Sequence, residues 1–129
     1  MACPLFVPLV EEGRIQDSIT TQVARGYLKP LQKANVDTLI LGCTHYPLLK
    51  PTIAQVLGAR VKLVDSARQV ALKTQQVLQD LRQLHPSVNG RTRSQRHFFV
   101  TDEPKHFEQL ARRFLGSQPG SVSKVDVTG

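Results

Sequence analysis

Cys43, Thr44 and His45 follow one another directly and place a thiol, a hydroxyl and an imidazole in one short stretch. An ionised thiol is a base or a nucleophile. A free cysteine has a pKa near ~8.5, and a helix N-terminus or a protonated histidine nearby lowers it. Gly42, just before the thiol, lets a small ligand approach the backbone closely. Spacing alone does not choose between a base and a nucleophile. The same residues also fit a small buried thiol beside an ordinary hydrogen-bonded histidine. The surrounding elements must decide.

Residues 36–42 are short and apolar toward their end, as a buried parallel strand should be. In open α/β sheets, ligands bind beyond the C-terminal ends of strands, which is where Cys43 falls. A helix is expected over residues 48–57, with Pro51 in its first turn and Gly58 closing it. Its N-terminal amides would attract a carboxylate and favour a thiolate. Upstream, residues 6–10 read as the tail of a strand or a loop entering a site, broken by Glu11, Glu12 and Gly13. A helix over 17–34 comes next, capped by Asp17 or Ser18, with Ile19, Val23, Tyr27 and Leu31 recurring every four residues. Pro30 predicts a kink in it.

Downstream, residues 61–65 form the next strand. Ser66 is expected to cap a long helix reaching Leu84, with apolar residues at helical spacing. Residues 85–95 are polar and read as an exposed connection. A strand over 97–101, a helix opened by Asp102 or Glu103 with Pro104 and ended by Gly116, and a strand over 122–127 complete the chain. Strands alternating with helices predict an α/β fold with a mostly parallel sheet.

The chain has 129 residues, 40% of them hydrophobic and 21% charged, ordinary values for a globular domain with a real core. Trp is absent and aromatics make up only 5%, so Leu, Val, Ile and Ala must fill the interior. No apolar run approaches the roughly 18 residues that span a bilayer, and no charged leader precedes an apolar stretch. The cytoplasm is the expected compartment, with no membrane partner. Two cysteines in unlike contexts argue against a disulfide framework or structural zinc. The net charge of +7 raises nucleic-acid binding as a candidate. However, Arg82, Arg91, Arg93 and Arg96 fall in and around a polar connection without interleaved aromatics. A solvated surface explains them better, and no nucleic-acid partner is expected.

The string from Gly42 to Leu49, Gly-Cys-Thr-His-Tyr-Pro-Leu-Leu, resembles the second catalytic motif of the glutamate racemases. Residues 3–13 resemble another segment of that family at the right distance upstream, and Val64-Asp65-Ser66-Ala67 resembles the family's segment downstream of the motif. These three matches, in order, span about half the chain; the remainder fits the family pattern only loosely. The resemblance implies two α/β lobes facing each other across a cleft. Residues 1–65 would complete the lobe that carries Cys43, and residues 66–129 would return to the other. It implies interconversion of L- and D-glutamate by two cysteines on opposite faces of the substrate, with no cofactor and no metal. Cys43 would be one proton donor and acceptor. Thr44 and His45 would bind the substrate, His45 would also assist Cys43, and Glu11 would be an acidic assistant at the same site. The family also implies a homodimer when full length, and D-glutamate destined for peptidoglycan.

The family's opening Asp-Ser-Gly motif and the Cys-Asn-Thr motif of its first catalytic cysteine are absent from these residues. Cys3, in an Ala-Cys-Pro context, matches a non-catalytic part of the family and is expected to be a buried or semi-buried thiol. Glu12 is assigned to the surface, and Ser66 to helix capping rather than to the ligand. The resemblance therefore implies the C-terminal part of a racemase, poorly active or inactive alone. Competing readings are a related racemase for aspartate or a hydantoin, a non-catalytic binding module derived from a racemase, and a thiol hydrolase or transferase using Cys43 and His45. The run His45-Tyr46-Pro47 favours glutamate over its relatives.

Overall fold

The computed structural model describes residues 1–85 and 95–127. Contacts divide the chain into Met1–Leu84 and His85–Gly129.

In the first unit, Phe6–Glu11 form a short helix, α1, where the sequence suggested a strand tail or loop. A brief apolar run has no period to read, so it fits strand or helix equally. Phe6 and Val10, four residues apart, are both buried. Pro8 falls in the first turn, where no intrahelical amide bond is lost. Glu11 belongs to the helix instead of breaking it. Gly13, at φ 76°, ends the segment in a conformation that costs glycine little.

Helix α2 spans Ser18–Lys33 and runs through Pro30 without a break. Asp17 caps it, accepting the Thr20 N–H at 2.9 Å, while Arg14 Nε donates to its other oxygen at 2.8 Å. The guanidinium and the amide together hold the Asp17 carboxyl down at about 2. Asn35, at φ 49°, turns the chain out of the helix toward strand β1, Thr38–Leu41.

The helix expected over 48–57 arrives in two pieces. Tyr46–Leu49 form a 3₁₀ turn, and α3 spans Lys50–Leu57. Pro51 has no N–H to give to the carbonyl of Pro47, so an α-helical ladder cannot run through this point. Gly58 closes α3 at φ 86°. Strand β2, Lys62–Asp65, pairs parallel with β1 in a register that sets Thr38 beside Lys62 and Leu41 beside Asp65.

Helix α4, Ser66–Asp80, follows at once. Its cap is Asp65, not Ser66: the Asp65 carboxylate reaches the Arg68 amide at 3.3 Å. Ser66 instead turns its hydroxyl to the Leu41 carbonyl at 3.4 Å, tying the start of α4 to the end of β1. The helix stops at Asp80 rather than Leu84, and Arg82 adopts φ 56° just beyond it.

Cys3, Phe6, Val10, Ala24, Leu28, Leu41, Leu49 and Ile53 form the core of this unit. It binds α1, α2, β1 and α3 together. Thr20 and Thr52 are buried with them, and their hydroxyls donate to the Arg14 and Ile15 carbonyls at 2.7 and 2.6 Å. A buried hydroxyl so partnered avoids its desolvation cost. Helix α4 buries none of its residues.

In the second unit, β3 spans His97–Val100, α5 spans Pro104–Leu115 and β4 spans Ser121–Lys124. The two strands pair in parallel. The last strand begins one residue earlier and ends three earlier than its sequence pattern suggested. Glu103 caps α5 ahead of Pro104, and Gly116 ends it in the left-handed conformation. Phe98 packs on Phe107 with ring centroids 5.4 Å apart. Most of the connection expected over 85–95, including Arg91 and Arg93, lies outside the described residues. Short parallel strands with flanking helices make the whole an α/β protein, as the sequence pattern implies. Among the described residues, no helix is long and apolar enough to cross a membrane.

Candidate active site

Strand β1 ends in the core at Leu41, 2% exposed. The chain then breaks the surface: Gly42 is exposed and Cys43 partly so. The space beside the Gly42 α-carbon is open, with no atom within 4 Å of where a Cβ would stand. Thr44 is exposed and His45 half-buried, and Leu49 returns the chain to the core with no exposure at all. The thiol is thus carried on a short bridge between two buried anchors, Leu41 and Leu49. Backbone between fixed ends has little freedom, which is what a reacting group requires.

Helix α1 meets this bridge from the other side. Its last residue, Glu11, places Oε1 3.2 Å from His45 Nε2. Thr44 Oγ1 lies 3.2 Å from His45 Nδ1. The two nitrogens can satisfy these partners together. In the neutral imidazole, Nε2–H donates to the Glu11 carboxylate and Nδ1 accepts the Thr44 hydroxyl proton. In the imidazolium both nitrogens donate, and Thr44 keeps its own proton for another acceptor.

Tyr46 is a neighbour to which the sequence pattern assigns no role. Its ring packs edge-to-face on Phe6, with centroids 5.4 Å apart. Burial pushes its phenol above the usual value near 10, and the Cys3 and Cys43 thiols nearby push it further in the same direction. Cys3 is 5% exposed, in the core, and burial raises its thiol above the usual value. That is the buried position expected for it. Glu12 is exposed.

The structure thus brings Glu11, Thr44 and His45 into one hydrogen-bonded run, with Cys43 on the same bridge. Thr44 and His45 adjoin Cys43 in sequence, but Glu11 and His45 lie 34 residues apart. Ser66 stands at the edge of the same strand tip through its bond to Leu41. Among the described residues, no group of three His, Cys, Asp or Glu side chains is arranged to hold a metal ion.

A thiol held at a strand tip beside a carboxylate-paired imidazole can exchange protons or attack carbon. The class is therefore an α/β protein with a partly exposed thiol at a strand tip, two residues ahead of a carboxylate-paired histidine. No protein-family model matches the chain, but individual proteins do. It is 45% identical over 126 residues to a glutamate racemase of Geobacter metallireducens, a match taking in 98% of this chain and 46% of that protein. The crystal structure of the glutamate racemase of Thermus thermophilus in complex with β-chloro-D-alanine superposes with a TM-score of 0.85 at 42% identity, over 98% of this chain and 46% of that one. The glutamate racemase of Francisella tularensis in complex with D-glutamate gives a TM-score of 0.82 at 34% identity, over 96% and 45%. Over the length they share, the chain is a homologue of the glutamate racemases and has their fold. It spans less than half of each of these relatives.

Proposed function

We propose that the chain supplies one catalytic wall of a cofactor-independent glutamate racemase, with Cys43 as one of its two acid–base thiols. The observation that carries this reading is the contact between His45 Nε2 and Glu11 Oε1 at 3.2 Å, on the bridge that also carries Cys43. The Geobacter metallireducens relative, a glutamate racemase, and the D-glutamate held by the Francisella tularensis structure support glutamate as the substrate.

The reaction asks for removal of a weakly acidic hydrogen from Cα and return of a proton to the opposite face. Such chemistry needs a base near its operating pH and oriented donors for the charge that develops. Cys43, as thiolate, takes the Cα proton on its face and, as thiol, returns one in the reverse direction. His45 assists as the adjacent acid–base group, and Glu11 balances its charge. Thr44 and His45 contact the substrate. Cys3 is not the opposite thiol, because it is buried in the core. That thiol belongs to a segment beyond these 129 residues. In this reading residues 1–65 complete one lobe and residues 66–129 return to the other. The whole enzyme is a cytoplasmic homodimer whose D-glutamate feeds peptidoglycan synthesis.

The test is a chimera in which this chain replaces the matching 126 residues of the Geobacter metallireducens relative. The expected result is interconversion of D- and L-glutamate, followed by circular dichroism, that Cys43→Ala abolishes. The lone chain should invert neither enantiomer. Racemisation that survives Cys43→Ala in the chimera sinks the reading.

A further inference from the structure

We propose that Tyr46 is a positioning residue that sets the Glu11–His45 contact through a brace of three aromatic rings. The inference rests on the reading of that contact as part of the proton-transfer site.

Phe6, on α1, is 1% exposed. Two tyrosines grip it edge-to-face. Tyr27, on α2, lies at 5.3 Å with planes at 89°. Tyr46, at the start of the 3₁₀ turn, lies at 5.4 Å with planes at 87°. This is the geometry that aromatic quadrupoles favour, worth ~0.5–1.5 kcal/mol per pair beyond the buried area. The Tyr27 phenol also fastens the residue ahead of α1: its Oη accepts the Leu5 N–H at 3.3 Å.

Helix α1 needs such help. It has six residues and no side-chain cap, and isolated helices of this length are not stable in water. Its direction must come from what it packs against. Glu11 sits five residues beyond Phe6, about 7.5 Å along the helix axis. Tilting α1 about its Phe6 anchor would therefore sweep the carboxylate away from the imidazole. Tyr46 adjoins His45 through one peptide bond, so its ring fixes the other end of the contact. One ring pair thereby sets both partners. A hydrogen bond at 3.2 Å has little slack before it is lost, near ~3.5 Å.

The experiment uses the full chain with ¹⁵N-labelled histidine and follows the His45 ring nitrogens by NMR. Glu11→Gln provides the reference for a contact without the carboxylate. Tyr46→Leu is expected to move the His45 ring signals toward that reference. Tyr46→Phe, which keeps the ring, is expected to leave them close to wild type. A merely structural role would lower the melting temperature of Tyr46→Leu while leaving the His45 signals of the folded protein at their wild-type positions, and that result overturns the proposal. A Tyr46→Phe signal displaced as far as that of Tyr46→Leu overturns it as well, since ring packing would not be the cause. If Tyr46→Leu does not fold, Phe6→Leu removes the facing ring and is read by the same criteria. In the chimera, Tyr46→Leu should lower kcat roughly 10- to 100-fold with KM little changed, and Tyr46→Phe should restore it. The racemase reading fails separately, through activity that survives Cys43→Ala, and the ring signals do not depend on that outcome.

Discussion

His45 is held from both sides, by Glu11 through Nε2 and by Thr44 through Nδ1. Replacing Glu11 by Gln keeps an oxygen that can accept from Nε2 and removes only the charge. In the chimera we expect Glu11→Gln to lower kcat by about 10²-fold or more, within the range of a lost acid–base contribution, with unchanged thermal stability; glutamate racemisation followed by circular dichroism measures it. A second expectation concerns high pH. Tyr46 and Cys3 are both raised in the fold, mainly by burial. Unfolding would let each ionise earlier, so the unfolded chain releases protons first. The stability this represents is complete below the unfolded values, ~8.5 for the thiol and ~10 for the phenol, and is lost as pH rises through the folded values. Phenolate absorbance followed alongside ellipticity should show Tyr46 ionising above pH ~10, as the fold opens. Cys43, Thr44 and His45 are legible in the sequence because their chemistry is contiguous. Glu11 is reached only through resemblance, since nothing in a local pattern brings residues 34 positions apart together. Tyr46 escapes a sequence reading because its role arises from contacts with Phe6 and Tyr27 that exist only after packing.

Elements with a clear period or a strong cap are readable in advance. Helix α2 announces itself by its four-residue repeat and Asp17, and α5 by Glu103, Pro104 and Gly116. Helix α1 is not readable because its apolar run is too short to show a period. Ser66 looks like the cap of α4 because Asp65 looks like the end of a strand. Asp65 is both, a double use that sequence pattern does not reveal. Two predictions belong at this scale. Leu49, fully buried, anchors the far end of the bridge that carries Cys43. Leu49→Ala should cost ~2–5 kcal/mol, measurable by denaturant unfolding. The Asp17 cap should be acid-sensitive. Its carboxyl is depressed from 3.8 to about 2, so its contribution is present above the unfolded value and fades as pH falls through the folded one. Asp17→Ala should therefore lower the melting temperature by a few degrees at pH 7, and the gap to wild type should narrow toward pH 2.

Each unit leaves apolar surface bare. Parallel sheets are ordinarily covered on both faces, yet among the described residues each sheet has two strands, and each shows an apolar side chain to solvent. In β1, Leu41 is buried while Ile40, on the opposite face, is 67% exposed. In β3, Phe98 packs on Phe107 while Phe99 is 68% exposed. Helix α4 and its C-cap add Val70, Val77 and Leu81, all exposed and spaced to lie along one side. Exposed apolar side chains on each unit favour association, and a short parallel strand pair offers edges for further pairing. The relatives are more than twice as long as the stretch they share with this chain, so they have further residues with which to cover the equivalent faces. The 129-residue chain on its own should therefore self-associate as its concentration rises, despite a net charge of +7 that opposes contact between copies. Sedimentation velocity over a range of concentrations reads this directly. Added salt should strengthen the association, because it screens the repulsion and leaves the apolar attraction in place. Val70→Lys combined with Leu81→Lys should weaken it without lowering the melting temperature, since neither side chain is buried. A chain that stays monomeric at every concentration and salt level would mean that these faces are not sticky. An unchanged association in the double variant would move its source to Ile40 or Phe99, where single lysine substitutions provide the same measurement.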